Sequence, residues 1–318
     1  MRRIWRSIAS NRTLSAVPGL AVGHASDPEA ATGCTVVLGP FRAAVDIRGL
    51  ASGTRQLDSL SPSHLTPNVD ALLLTGGSAY GLAAADGVAR WLEERGRGFA
   101  TPAGPVAIVP TAVVYDLATG RADRRPDAAM GRAACETASR TPVREGRVGA
   151  GSGATVGKLR GASSAMPGGV GCWAVSCGDH LVAALVVVNA FGDVLSADGE
   201  IIAGARGEDG EFIDTQAYLR EHDPPPRFAE EAGANTTLAV VATDWPLDRT
   251  GLQAVARQAM NAIVRRTAPA NTQFDGDIVF AVSTGEPQVA RGPSETLRLG
   301  LCAEWALEEA VERAVTGR

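Results

Sequence analysis

Lysine is almost missing from this chain. Of its thirty basic residues, Lys158 is the one that is not arginine. A guanidinium keeps its charge at every accessible pH, whereas a lysine ammonium is a compact charge whose pKa moves with burial, so the lone lysine marks a candidate site. Aromatic residues make up only 5% of the chain while 45% is hydrophobic, much of it alanine, which points to close backbone packing rather than a bulky aromatic core. No apolar run approaches the ~20 residues that cross a bilayer, so no membrane association is expected. The five cysteines (Cys34, Cys135, Cys172, Cys177, Cys302) are odd in number and scattered, with four residues between Cys172 and Cys177, a pattern that favours neither a disulfide framework nor a zinc site. Reduced, buried thiols in a cytoplasmic protein are expected, with no metal and no cofactor. A net charge of −5 excludes a general attraction to nucleic acid. Arg2, Arg3, Arg6 and Arg12 crowd the N-terminus, but no apolar stretch follows them, so no secretory leader is read there and residues 1–14 are expected to be a flexible basic extension.

Short apolar runs are present in quantity. Thr35–Leu38, Ala71–Leu74, Val106–Val109, Leu181–Val188, Leu238–Thr243 and Ile278–Val282 read as strands. Most are apolar at successive positions, as strands covered on both faces are. Helical patterns lie between them: Ala79–Glu94, Asp127–Ser139 behind Pro126, and Gly251–Arg266, with Thr250 and Gln253 as a capping box. The last runs over Ser294–Val315, with Leu297, Leu301, Trp305, Leu307 and Val311 inward. Strands mixed with helices over one continuous pattern indicate a layered α/β or α+β fold. One stretch departs from it. From Arg206 to Ala234 the chain is polar and contains Pro224-Pro225-Pro226, a long loop of the kind that is mobile or functional.

Two nucleotide-binding signatures fail. The run into Lys158 has Ser152 where a phosphate-binding loop needs its first glycine, and Leu159 where it needs Ser or Thr. Thr75-Gly76-Gly77-Ser78 follows a strand, but the dinucleotide spacing is absent, and Tyr80 stands where a nucleophile elbow needs glycine.

The long loop ends at Asn235-Thr236-Thr237, where a buried strand begins. A threonine hydroxyl is a weak nucleophile without an adjacent base, and one such base is its own α-amine, freed if the preceding peptide bond is cut. Thr236 attacking the Asn235 carbonyl would divide the chain into residues 1–235 and 236–318. Two further features support this reading over an ordinary loop-to-strand junction. Asp275 and Asp277 enter an apolar strand two residues apart, and Asn189 puts an amide at the end of the very apolar Leu181–Val188 run, where it could stabilise an oxyanion.

With these residues together, the chain resembles the self-cleaving N-terminal-nucleophile hydrolases of the L-aminopeptidase/D-esterase group, which includes β-aminopeptidases and nylon-oligomer (6-aminohexanoate-oligomer) hydrolases. The resemblance spans roughly Val17 to Val315 and rests on Val22-Gly23-His24, Leu73-Leu74-Thr75-Gly76-Gly77-Ser78-Ala79-Tyr80-Gly81-Leu82, Val148-Gly149-Ala150-Gly151, Gly157-Lys158, Val188-Asn189-Ala190, Asn235-Thr236-Thr237 and Phe274-Asp275-Gly276-Asp277. It implies an αββα sandwich formed by residues 15–318, self-cleaved between Asn235 and Thr236 into residues 15–235 and 236–318, and a homo-oligomer, a tetramer, of such two-chain protomers. It also implies roles: Thr236 as nucleophile, Asn189 on the oxyanion, Tyr115 and Lys158 lining the pocket, and Asp275 and Asp277 orienting the Thr236 amine and hydroxyl. The threonine, the aspartate pair and the lysine are closer to the nylon-oligomer branch than to the aminopeptidases. Expected substrates are small peptides, amino-acid amides or ω-amino-acid oligomers. The alternative functions are an acyltransferase on the same scaffold, and a non-catalytic phosphate- or nucleotide-binding module using Gly149–Lys158.

Overall fold

The structure, a computed structural model, describes residues 11–161, 165–225, 235–286 and 292–317. Nine strands carry the fold: β1 (Ala21–Asp27), β2 (Thr32–Ile47), β3 (Thr54–Arg55), β4 (Val69–Thr75), β5 (Thr111–Val113), β6 (Gly169–Cys177), β7 (His180–Asn189), β8 (Thr236–Thr243) and β9 (Ile278–Ser283). They are hydrogen-bonded in the order β6-β7-β8-β9-β2-β4-β5-β3, with β1 on β2. The long strand β2 belongs to two layers at once. Its first half pairs with β1 and β4, its register shifts between Leu38 and Phe41, and its second half pairs with β9.

Side-chain alternation along the strands shows the layering. Val37, Leu72 and Leu74 from one layer meet Leu185, Val187, Leu238, Val240, Ile278 and Phe280 from the other in a buried inter-sheet core. The odd-and-even partners of these residues face outward onto helices. Val36, Ala71 and Leu73 lie under α1 (Ala84–Glu93) and α2 (Ala128–Glu136). Val186, Val188, Ala239, Val241, Val279 and Ala281 lie under α4 (Arg249–Arg266) and α5 (Pro293–Thr316). This is an αββα sandwich. Both faces of the central strands are covered, which explains why their apolar runs are continuous rather than alternating. The scarcity of aromatics also has a physical role: α5 presents Ala303, Ala306, Ala310 and Ala314 to the strands, so the helix backbone can lie close against them.

Several expectations shift. Helix α4 is capped by Asp248, whose Oδ1 accepts from Gly251 N at 2.7 Å, and not by Thr250, which lies inside the helix. Ser78–Ala83 is a 3-10 turn, and only Ala84–Glu93 is α-helical. Pro126 precedes the Asp127 cap of α2 instead of occupying its first turn, while Pro293 opens α5. On α5 the inward face is Leu299, Cys302, Ala303, Ala306 and Leu307; Leu297 and Leu301 are exposed. Of Val106–Val109 only Val106 lies in a strand, at the end of a separate two-stranded hairpin (Gly104–Val106 with Phe99–Thr101), and Thr111–Val113 takes the place beside β4. Strands β1 and β6, the latter rich in glycine, carry too weak an apolar run to be read in advance.

The polar stretch after Arg206 contains a short helix, α3 (Thr215–Glu221), capped by Asp214; its residues 226–234 lie outside the described residues. Residues 1–10 of the basic N-terminal segment also lie outside them, but Thr13 and Leu14 are buried, and Thr13 Oγ1 accepts from Val143 N at 3.0 Å. All five cysteines are buried and free of disulfides. No helix among the described residues is long and apolar enough to cross a membrane.

Candidate active site

The topology brings the three sequence signals to one place. Strand β8 begins at Thr236, between β7 and β9. On one side it is antiparallel to β7, so the first residue of β8 lies opposite the last of β7: Asn189 pairs with Thr236. On the other side it is parallel to β9, with α4 as the crossover, so both strands start at the same end of the sheet. The Phe274-Asp275-Gly276-Asp277 segment leading into β9 therefore runs beside Asn235-Thr236, and Asn235 bridges to Asp275 in parallel.

Asn189, Asn235, Thr236, Asp275 and Asp277 are all buried, with Thr236 4% exposed and Asn235 3%. Thr236 Oγ1 lies 2.5 Å from the carbonyl oxygen of Asn235 and donates to it. The same carbonyl accepts from Gly276 N at 2.9 Å. A side chain at Gly276 has no room: a Cβ there would sit 2.8 Å from Thr236 Oγ1 and 3.0 Å from Ala51 O.

Lys158 reaches this corner from the glycine-rich segment. Its backbone is fixed by Gly157 N on Gly192 O (3.0 Å) and Lys158 N on Phe191 O (2.9 Å), just beyond the end of β7. Gly157 has φ +70°, and a Cβ there would come within 2.1 Å of the Gly204 carbonyl carbon, so glycine is required both by conformation and by space. The Lys158 ammonium then turns back and donates to Asn189 O at 3.1 Å and Asn189 Oδ1 at 3.0 Å. Thr155 N also donates to Oδ1, at 3.0 Å. With two donors defining the amide oxygen, Asn189 Nδ2 points to the Tyr115 carbonyl, 3.1 Å away. Tyr115 thus joins the site through its backbone.

The aspartates hold the loop around Thr236. Asp277 accepts from Thr237 N (2.7 Å) and Asn271 N (3.0 Å), and Asp275 accepts from Thr272 N (2.8 Å) and Thr272 Oγ1 (2.6 Å). Burial pushes the Asp277 carboxyl up, to about 7, with the neighbouring Asp275 charge adding to it. Burial also raises Asp275, against the pull of Thr272 and of the Lys158 charge.

Asp116 is a residue that sequence reasoning did not single out. It is 2% exposed and directly follows Tyr115. It accepts from Thr32 Oγ1 (2.6 Å) and Gly77 N (2.8 Å), which ties the Tyr115 segment to the Gly76-Gly77 turn. Burial raises its carboxyl, and the Lys158 charge acts against that rise. Its only sequence signal is its position beside Tyr115.

Most backbone donors of the Gly149–Lys158 run are engaged within the protein. Gly149 N donates to Ser26 Oγ (2.8 Å), Ala150 N to Thr35 Oγ1 (3.0 Å) and Thr155 N to Asn189, so the segment is a wall of the site and not a phosphate cradle.

The family model for peptidase family S58 matches residues 12–317. The chain belongs to peptidase family S58. Among its relatives, an uncharacterized aminopeptidase of Mycobacterium leprae is 40% identical over 341 residues, covering 96% of this chain and 91% of that protein. A 6-aminohexanoate-oligomer endohydrolase of Kocuria sp. is 33% identical over 289 residues, covering 88% of this chain and 77% of that protein. In structure, the chain is similar to the L-aminopeptidase D-Ala-esterase/amidase of Ochrobactrum anthropi, described as a variant of the Ntn hydrolase fold. The TM-score is 0.72 at 20% identity, over 97% of this chain and 87% of that one. A Burkholderia sp. β-aminopeptidase gives 0.69 at 20% identity, over 98% and 89%. The S58 chain described here is thus an amide-bond hydrolase with an Ntn-type layered fold.

Proposed function

We propose that this S58 hydrolase cuts itself before Thr236 and then uses Thr236 as an N-terminal nucleophile on small peptides, amino-acid amides or ω-amino-acid oligomers. One observation carries the reading: the Thr236 hydroxyl rests on the carbonyl oxygen of the bond to be cut, one bond from the carbon it would attack, while Gly276 N donates to that same oxygen. Attack by Oγ1 forms a C–O bond to the Asn235 carbonyl carbon and breaks the C–N bond. The hydroxyl proton ends on the Thr236 nitrogen, and water hydrolyses the ester. An amide donor already placed on the oxygen that gains charge is the arrangement that stabilises a tetrahedral intermediate, and removing one such donor typically lowers the rate about 10²–10³-fold.

In the matured enzyme the freed Thr236 amine, with an ordinary pKa of about 7.7–8.0, takes the hydroxyl proton as Oγ1 attacks the substrate amide. Because Asn189 Nδ2 is directed at the Tyr115 carbonyl, we assign Asn189 first to holding Lys158 beside the nucleophile, and the donor on the scissile carbonyl of the uncut chain to Gly276. The aspartates support Thr236 through Thr237 and the loop after Asn271. An oligomer of two-chain protomers and a cytoplasmic setting complete the proposal. Replacing Thr236 with alanine tests it: a single uncut chain without amide turnover is expected, and turnover by that variant would overturn the assignment. Thr236→Ser is expected to keep both reactions.

A further inference from the structure

Self-cleavage and turnover make the same kind of ester on the same atom. In the first, Thr236 Oγ1 carries the acyl group of Asn235; in the second it carries the acyl group of the substrate. The place where Asn235 sits in the uncut chain therefore describes the acyl group this nucleophile is built around.

That place is closed. Asn235 is 3% exposed, its backbone runs parallel to Asp275, and its carbonyl is held by Gly276 N. Its Nδ2 faces a single acceptor, the Phe274 carbonyl, at 3.5 Å. Its Oδ1 is buried and has no hydrogen-bond partner among the described residues. Among the described residues the surroundings suit a neutral carboxamide and place no donor on the oxygen, and the segment alongside carries the buried carboxyls of Asp275 and Asp277. A carboxylate in this position would be a buried charge with no hydrogen-bond donor on it among the described residues, beside two buried carboxyls and with the Lys158 ammonium already engaged by Asn189.

Resting on the proposed Thr236 mechanism, we infer that the space filled by the Asn235 side chain is the acyl-side specificity pocket of the matured enzyme. It takes amides whose acyl residue has an uncharged side chain no larger than asparagine, and it rejects acidic and bulky ones. The asparaginyl and aspartyl pair is the sharpest discriminator, because the two side chains have the same shape and differ in charge and in the donor facing Phe274.

The test offers the matured two-chain enzyme the p-nitroanilides of asparagine, aspartate, alanine and phenylalanine, each with its α-amine free or acetylated. In whichever series is cleaved, kcat/KM for asparaginyl is expected to exceed that for aspartyl by about 10²-fold, with alanyl cleaved and phenylalanyl poor. The full-length chain carrying Asn235→Asp or Asn235→Ala is expected to cut itself in the same rank order. Aspartyl or phenylalanyl amides turned over as well as asparaginyl would overturn the pocket assignment while leaving the nucleophile in place. Failure of the matured enzyme to cleave any member of either series would count against the Thr236 mechanism itself, and the pocket would fall with it.

Discussion

Lys158 donates to both oxygens of Asn189, the main-chain one at 3.1 Å and the side-chain one at 3.0 Å, so a single ammonium fixes the amide opposite Thr236. This double contact is one that a compact ammonium makes well, in a chain whose other basic residues are all arginine. A guanidinium is larger and planar, and it cannot direct one compact charge into a site that is 6% exposed at Lys158. Lys158→Arg is expected to slow self-cleavage at least about 10²-fold while the circular dichroism spectrum stays unchanged. A time course on denaturing gels checks it, and cleavage at the parental rate would mean that the lysine has no part in the reaction.

Gly276 gives a second, purely steric prediction. An alanine Cβ would press on Thr236 Oγ1 and on the backbone of Ala51, neither of which is the far end of a flexible side chain. Gly276→Ala is expected to accumulate as uncut chain. Processing as fast as in the parent would show that Thr236 does not react from the position it holds here.

A third prediction concerns pH. Burial, helped by the Arg144 charge, lowers the His24 pKa from 6.5 to about 4, and its Nδ1 lies 2.9 Å from Thr35 Oγ1. Between those two values the unfolded chain binds the proton and the folded chain does not. The stability from keeping His24 neutral is therefore present above pH 6.5 and is lost as the pH falls through 4, each unit of separation being worth about 1.4 kcal/mol. Asp193 and Asp277, whose buried carboxyls are raised to about 6 and about 7, act in the opposite direction, favouring the fold at lower pH. Comparing His24→Gln with its parent, both in an uncut Thr236→Ala background, isolates the histidine. Urea midpoints of the parent are expected to fall more steeply than those of the variant between pH 6.5 and 4, and parallel slopes would refute the assignment.

Much of the architecture is legible in the chain. Strands buried on both faces announce themselves as unbroken apolar runs, and β4, β7, β8 and β9 were all readable that way. What escapes is set by contacts distant in sequence. β6 is written with glycine and cysteine because α5 lies close over it, which mutes its hydrophobic signal. The α4 cap is Asp248 and not Thr250, since Ser, Thr and Asp compete at helix starts and local sequence cannot rank neighbours two apart. In the site, Thr236, Asn189, Lys158, Asp275 and Asp277 are chemically conspicuous for their positions, and the fold brings them together. The backbone groups are not conspicuous. Neither Gly276 N on the Asn235 carbonyl nor the Tyr115 carbonyl on Asn189 has a side-chain signature, and Asp116 becomes visible only once the turn it ties down is seen.

The central claim is that one specific peptide bond opens to make the catalytic amine. The most direct measurement is intact-mass analysis of the incubated full-length protein with N-terminal sequencing of its smaller fragment. A fragment beginning Thr236-Thr237-Leu238 and ending with the chain is the expected result. A single uncut chain that nevertheless hydrolyses amides, or a fragment starting at any other residue, would contradict the account.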